Sequence, residues 1–242
     1  MNVKDVTEIS VAEPGTRLKA IFTRQRELME KYEKIEASNG LLQTPDIPVD
    51  LNDAKGQARL KDFAWRITEE LAEAKDAYEQ MMLGPAEDME GNMNEVFIHI
   101  HEELMDSLHF LVEMTILSDI TADRLLELLP GEDEELEELD ANSDILEVIF
   151  KYASIPFDPE YAFTNQMASF IKELGMLCHL LKNKPWKQSQ MLTDIAEYNR
   201  RMVEVFAEFL ALCFFCGMNP KSIYELYFSK SEVNKFRQRS NY

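Results

Sequence analysis

The sequence is short of basic residues, cysteines, strand-like alternation and long apolar runs, and each shortage removes a class of protein. Only 25 Lys and Arg stand against 45 Asp and Glu, a formal net charge of -20 over 242 residues. Nucleic acids and anionic membranes both need a basic face, so this balance argues against either as a partner. The cysteines are three: Cys178, Cys213 and Cys216. A zinc site would need a second pair or nearby histidines, and a thioredoxin-type pair would need a strand–helix context. Cys213 and Cys216 lie instead in the apolar run VFAEFLALCFFCG, which reads as core thiols in a reducing compartment. No uninterrupted apolar run is long enough to cross a bilayer, and no basic-then-apolar leader pattern follows Met1. The expected location is the cytoplasm.

What the chain does have is helical periodicity. The apolar spacing predicts helices over 15–37, 59–83, 93–119, 121–129, 134–152, 160–183, 188–216 and 220–239. The stretch NGLLQTPDIPVDLNDAKG (39–56), with two prolines and several turn formers, reads as a loop, and a second break falls at LGPAEDMEGN (83–92). Gly217 is placed to end the long apolar helix, with Asn219 as N-cap and Pro220 as first residue of the last one. Segment 120–186 differs from its flanks, since it carries the acidic run GEDEELEELDANSD and prolines 156 and 159. The expectation is an all-α protein. Residues 1–119 and 187–242 form a helical bundle, and 120–186 is an inserted, mobile helical sub-domain.

Two of these helices set acids beside their buried stripes. At 100° per residue, Phe63, Ile67, Leu71, Ala74 and Tyr78 form one stripe. Glu70 falls at its edge and Glu73 one step further round. On the next helix Val96, Ile100, Ser107, Phe110, Leu111 and Met114 form the stripe, with Glu103 inside it and Asp106 beside it. A carboxylate at a helical interface must be protonated, paired with a cation or bound to a metal. No Lys or Arg occurs from Asp76 through Asp123 to pair with them locally. Converging acids raise one another's pKa unless a cation is present. Mg²⁺ takes carboxylate oxygens and shares its sites with substrate phosphates. The pairs Glu70/Glu73 and Glu103/Asp106 are therefore candidates for a Mg²⁺ cage; the plain alternative is a set of surface acids.

The second acidic helix also carries His99, His101 and His109. His101 is followed four residues later by Met105, which excludes the zinc-protease pattern. His109, three residues after Asp106, reaches the same face. The C-terminal helix breaks the overall acidity, with Lys230, Asn234 and Arg237 at i, i+4 and i+7 on one face. A point charge, an amide and a forked guanidinium suit a phosphate group, although a basic helix end also complements the macrodipole.

The stretches WRITEELAEAKDAY, EELMDSLHFLV and GMNPKSIYELYFSKSEVNKFRQRSNY resemble the dimeric all-α dUTPase and dCTPase-dUTPase family. That family belongs to the MazG-like superfamily of all-α nucleoside triphosphate pyrophosphatases. The resemblance implies a homodimer that hydrolyses dUTP to dUMP and pyrophosphate with Mg²⁺ held by Glu70, Glu73, Glu103 and Asp106. It further implies phosphate contacts from Lys230 and Arg237, nucleoside contacts from Asn234, Tyr242 and His109, and a base pocket lined by Phe110. The family's first helix reads uracil with a glutamine and a nearby asparagine. Here Gln25 is present, but Leu28 and Met29 fill the following turn, and SNY replaces the usual Gly-Tyr ending. The base is therefore open between dUTP and dCTP, or both. Two other classes compete. A di-iron carboxylate bundle would want two Glu-x-x-His motifs, where this chain has only Asp106-x-x-His109. An acidic adaptor with every acid solvated would catalyse nothing.

Overall fold

Burial of the amphipathic stripes dictates the architecture. The computed structural model describes residues 16–38, 47–83, 89–129, 144–153, 162–184 and 186–239. Among them are eight helices and no strand. They are α1 (Arg17–Ser38), α2 (Ala54–Leu83), α3 (Met89–Leu117), α4 (Ala122–Glu127), α5 (Ile145–Ala153), α6 (Ala162–Leu180), α7 (Ile195–Phe215) and α8 (Pro220–Arg239).

α3 is the central helix. From Glu103 to Ser118 only Asp106 and Phe110 are not buried, so α1, α2, α7 and α8 enclose nearly its whole circumference. α2 runs antiparallel to it, because Phe63 meets Phe110 while Glu70 meets Glu103 further along. α8 runs antiparallel to α3 on another side, with Tyr227 on His109 and Lys230 on Asp106. It lies parallel to α1, where Arg24 pairs with Glu232 and Lys235 with Glu27. Ser118 Oγ and Tyr198 OH, 2.8 Å apart, join the end of α3 to the start of α7. The stripe residues Phe63, Ile67, Leu71 and Ala74 are all buried, and each fully buried large apolar side chain contributes about 1.5–3 kcal/mol.

The described parts of 120–186 join the same apolar cluster. α6 lies antiparallel on α7, with Phe170 edge-on to Phe209 and Glu173 paired to Arg201 at 2.7 Å. Arg17 of α1 binds Asp144 and Glu147 at the start of α5. Of the acidic run only Asp144 is described; 131–143, and with them the start of the helix expected over 134–152, lie outside the described residues. The thiols of Cys178, Cys213 and Cys216 are free, and burial pushes Cys178 up to about 11 and Cys216 to about 12. No single described helix is long and apolar enough to cross a membrane. α7 and α8 would qualify only together, and they meet at a bend of 97°.

Two helix starts depart furthest from the sequence expectation, while α3 begins at Met89, four residues before the expected 93. α2 begins at Ala54, inside the expected loop, because Asp53 Oδ2 accepts from the backbone of Lys55 and Gly56 and starts the helix early. Gly56 there serves close packing, since a Cβ would lie 2.8 Å from the Asp50 carbonyl oxygen. α7 starts at Ile195, later than the expected 188. Asn183 binds the backbone N–H and C=O of Met191, which holds the preceding chain irregular, and Asp194 then caps α7. The far end is as expected. Gly217 takes φ +74°, and Asn219 Oδ1 caps α8 through the N–H groups of Lys221 and Ser222.

Candidate active site

The antiparallel α2–α3 pair brings three of the four expected acids together. Each of Glu70, Glu103 and Asp106 offers a carboxylate oxygen, and these oxygens lie within 4.8 Å of one another. Burial, the hydrogen bond to Glu103 and the charges of Asp106, Glu103 and Glu73 push Glu70 up from 4.5 to about 8. Glu103 is also raised, chiefly by burial, against the pull of its bond to Glu70 and of Lys230. The acids suppress one another's ionisation, and Glu70 keeps its proton at neutral pH. Lys230 Nζ reaches across from α8 to Asp106 Oδ2 at 2.7 Å, and His99 Nδ1 lies 3.2 Å from Glu103 Oε1. Converging hard oxygens with suppressed ionisation are what a divalent cation would relieve, so the donor set fits Mg²⁺. Glu73 does not enter the three-acid group. It is exposed and lines a shallow neighbouring depression with Asp76 and His99.

Beside the acids, α1, α2, α3 and α8 enclose a cavity of about 270 Å³. Glu70 and Asp106 open onto it, and so do Gln25, Phe63, Arg66, His109, Phe110, Glu113 and Asn234. The Phe63 and Phe110 rings, 6.1 Å apart, give it an aromatic wall, and the Arg66 guanidinium lies 5.3 and 5.7 Å from them.

A buried polar network backs the cavity. Gln25 Nε2 donates to Glu113 Oε2 at 2.9 Å. That fixes the amide orientation, because a carboxylate only accepts. Gln25 Oε1 in turn accepts from Tyr227 OH at 2.7 Å and from His109 Nδ1 at 2.8 Å. His109 is therefore the Nδ1–H tautomer. Burial and then the Lys230 charge lower it to about 3 against an opposing effect of the Tyr227 backbone, which keeps the ring neutral. Its Nε2 is left a buried lone pair with no partner among the described residues. The Tyr227 ring stacks on the imidazole at 4.0 Å.

Of the other expected residues, Gln25, His109, Phe110 and Asn234 come together at this cavity, and Lys230 meets its acidic edge. Arg237 lies on α8, but its side chain is outside the described residues, as is Tyr242. Sequence reasoning missed Glu113, Phe63, Arg66 and Tyr227. Glu113 left a signal, since Asp106, Phe110 and Glu113 follow i, i+4, i+7 on one face of the helix, and Glu113 is the one charged residue in its last ten positions. A family model described as dUTPase matches residues 90–242, more than half of the chain. The matched stretch holds Glu103, Asp106, His109, Glu113, Lys230 and Asn234, and it leaves out Gln25, Glu70 and Glu73. No curated protein and no solved structure matches.

Proposed function

Because the chain belongs to the dUTPase family, we propose that it hydrolyses dUTP to dUMP and pyrophosphate with Mg²⁺, in the cytoplasm and as a homodimer. The observation that carries this reading is the three-acid cluster opening onto a cavity with an aromatic wall and a buried polar back. A triphosphate needs the first feature and a nucleoside needs the second.

Glu70, Glu103 and Asp106 would hold the metal, with Glu73 completing the set from the adjacent turn of α2. When bound, Mg²⁺ supplies charge neutralisation at the triphosphate and a polarised water for attack on the α-phosphorus. One carboxylate of the group would accept the proton of the attacking water. Glu70, pushed up to about 8, is protonated in the metal-free site and takes up charge only once the like charges around it are compensated. Lys230 exchanges Asp106 for phosphate oxygens, assisted by Arg237 from the same helix face. Asn234 and Tyr242 contact the nucleoside, and Phe110 stacks on the base beside Phe63. The neutral His109 and Gln25 form a buried, hydrogen-bonded back wall at the base end.

The homodimer reading draws support from exposed apolar side chains on the adjacent α1 and α8, namely Ile35, Val233 and Phe236. Segment 120–186 would be the inserted sub-domain between the halves 1–119 and 187–242 of the catalytic bundle. The test of function is pyrophosphate release with Mg²⁺ from dUTP, from the four common dNTPs and from the four NTPs. Release confined to deoxypyrimidine triphosphates is expected. No release from any of them would leave the acids as a solvated surface and end the catalytic reading.

A further inference from the structure

The loop between α6 and α7 combines a fixed backbone with large apolar side chains held out in solvent. Asn183 and Met191 close its base: the Asn183 side chain donates to the Met191 carbonyl at 2.8 Å and accepts from the Met191 N–H at 2.7 Å. That base is tied to the start of α2. The Asn183 N–H donates to Gln57 Oε1 at 2.6 Å, and its side-chain amide donates to the Asn52 carbonyl at 2.7 Å. Thr193 donates from its N–H to Asn52 Oδ1 at 2.8 Å and from its hydroxyl to the Leu51 carbonyl at 2.6 Å. Gln57, Asn183 and Thr193 are all buried. From this anchored base Trp186 and Leu192 stand 76% and 89% exposed, and Met191 and Ile195 are exposed as well. Single apolar residues on a surface need no explanation. Four within ten positions, on a backbone already ordered by buried hydrogen bonds, do. A Trp presented on an ordered backbone loses little entropy on binding, and Trp is among the residues that dominate protein interfaces.

Charge on the loop is the reverse of the chain's. Overall 45 Asp and Glu outnumber 25 Lys and Arg, but 181–195 holds Lys182, Lys184 and Lys187 against one acid, Asp194, whose side chain caps α7. None of the three lysines forms an ion pair among the described residues. Lys184 Nζ lies instead 5.3 Å from the centre of the Trp186 ring. Lys184 and Lys187 also converge on Lys61 of α2, which donates to the Leu181 carbonyl. Burial lowers Lys61, and the charges of Lys184 and Lys187 add to that against an opposing effect of Cys178. Like charges gathered without a counter-ion attract an anionic group.

The rest of the surface limits what that group can be. Charges more than about 8 Å away are screened at physiological salt, so a short segment lying on the loop meets the lysines and not the net charge of -20. A bilayer or a nucleic acid duplex would extend past the loop and against the acidic remainder of the chain. A second copy in two-fold contact through this face would set lysines on lysines. Trp186 and Leu192 further demand apolar partners, which a bare polyanion lacks.

Independently of the catalytic reading, we propose that 182–195 is a docking surface for an acidic segment of a partner protein. Lys182, Lys184 and Lys187 pair with its carboxylates, and Trp186 and Leu192 seat among its apolar side chains. The surface lies apart from the acid cluster, since Gln57 and Glu70 are separated by about 20 Å along α2. The test selects a random peptide library on the intact protein and counter-selects on the triple variant Lys182→Glu, Lys184→Glu, Lys187→Glu. Peptides retained only by the wild type should be rich in Asp and Glu, with Leu, Phe or Trp among them. The best of these, followed by fluorescence anisotropy, should bind at least about tenfold more weakly to the triple variant and to Trp186→Ala, and more weakly as salt rises. Helical circular dichroism and pyrophosphate release from dUTP should be the same in all three proteins. Should the triple variant not fold, Trp186→Ala takes its place in the counter-selection. No variant-sensitive peptide, or selected peptides without an acidic excess, overturns the proposal. So does binding to phosphatidylserine vesicles by the wild type alone, which would make the loop a membrane contact. A smaller sedimenting mass in the variants also overturns it, by making the loop a face between copies. The peptide measurements decide the docking surface whether or not the wild type releases pyrophosphate, and only the latter bears on the catalytic reading.

Discussion

Replacing Glu70 by Gln should stabilise the metal-free protein at pH 8 and leave it unchanged near pH 4, while abolishing turnover. The folded protein holds the Glu70 proton up to about 8, whereas an unfolded glutamate releases it near 4.3. Between those values the native state binds more protons than the unfolded one, so stability falls as pH rises through the window. Taken in full, a rise of that size would correspond to about 4–5 kcal/mol. Glu70 is only partly buried, and solvent screening reduces this to about 1–2 kcal/mol. For a chain of this length that is about 2–8 °C in Tm. The assay is thermal unfolding in chelator from pH 5 to 8.5, repeated with Mg²⁺. Wild-type Tm should sag toward pH 8 and recover with Mg²⁺, because the cation binds the native state only. Glu70→Gln should give a flatter profile and a smaller Mg²⁺ recovery. Parallel profiles for the two proteins, with equal response to Mg²⁺, would refute a strained carboxylate cluster that waits for a cation.

Further predictions concern the tail, the assembly and the middle segment. Lys230→Ala removes the cation that sits 2.7 Å from Asp106 in the free protein. It should weaken triphosphate binding by about tenfold to a hundredfold, the worth of a charge-assisted contact of about 1.5–3 kcal/mol, and should weaken monophosphate binding far less. Equal losses in a calorimetric titration of both ligands would move Lys230 off the leaving pyrophosphate. Sedimentation at micromolar concentration should give twice the 28.1 kDa chain mass, and a fully active monomer would contradict the dimer. If 120–186 is a mobile sub-domain, its amides should exchange with deuterium as one unit ahead of α2, α3 and α7. Protection in α6 equal to that of α7 would merge it with the bundle.

How much of this was legible in the sequence depends on which force places each residue. The helices and their buried faces were readable, because a stripe such as Phe63, Ile67, Leu71 and Ala74 is set by local periodicity alone. So were the Gly217 and Asn219 signals, which act within a few residues. The start of α7 was not, since it is delayed by Asn183 binding Met191, a contact that no window of apolar spacing contains. The acids divide in the same way. Spacing put Glu70 and Glu73 on adjacent positions of one helix face. Which of them meets Glu103 is decided by the rotation of α2 against α3, and that is a property of the packed pair. Glu113 shows the limit most clearly. In sequence it is one acid on an apolar helix, and the same face rule that found Asp106 could have found it. Its meaning depends on Gln25 from 88 positions away, on the Tyr227 hydroxyl, and on the tautomer they impose on His109. Each of those bonds fixes which donors and acceptors the others can use, and only the packed bundle brings the four side chains together.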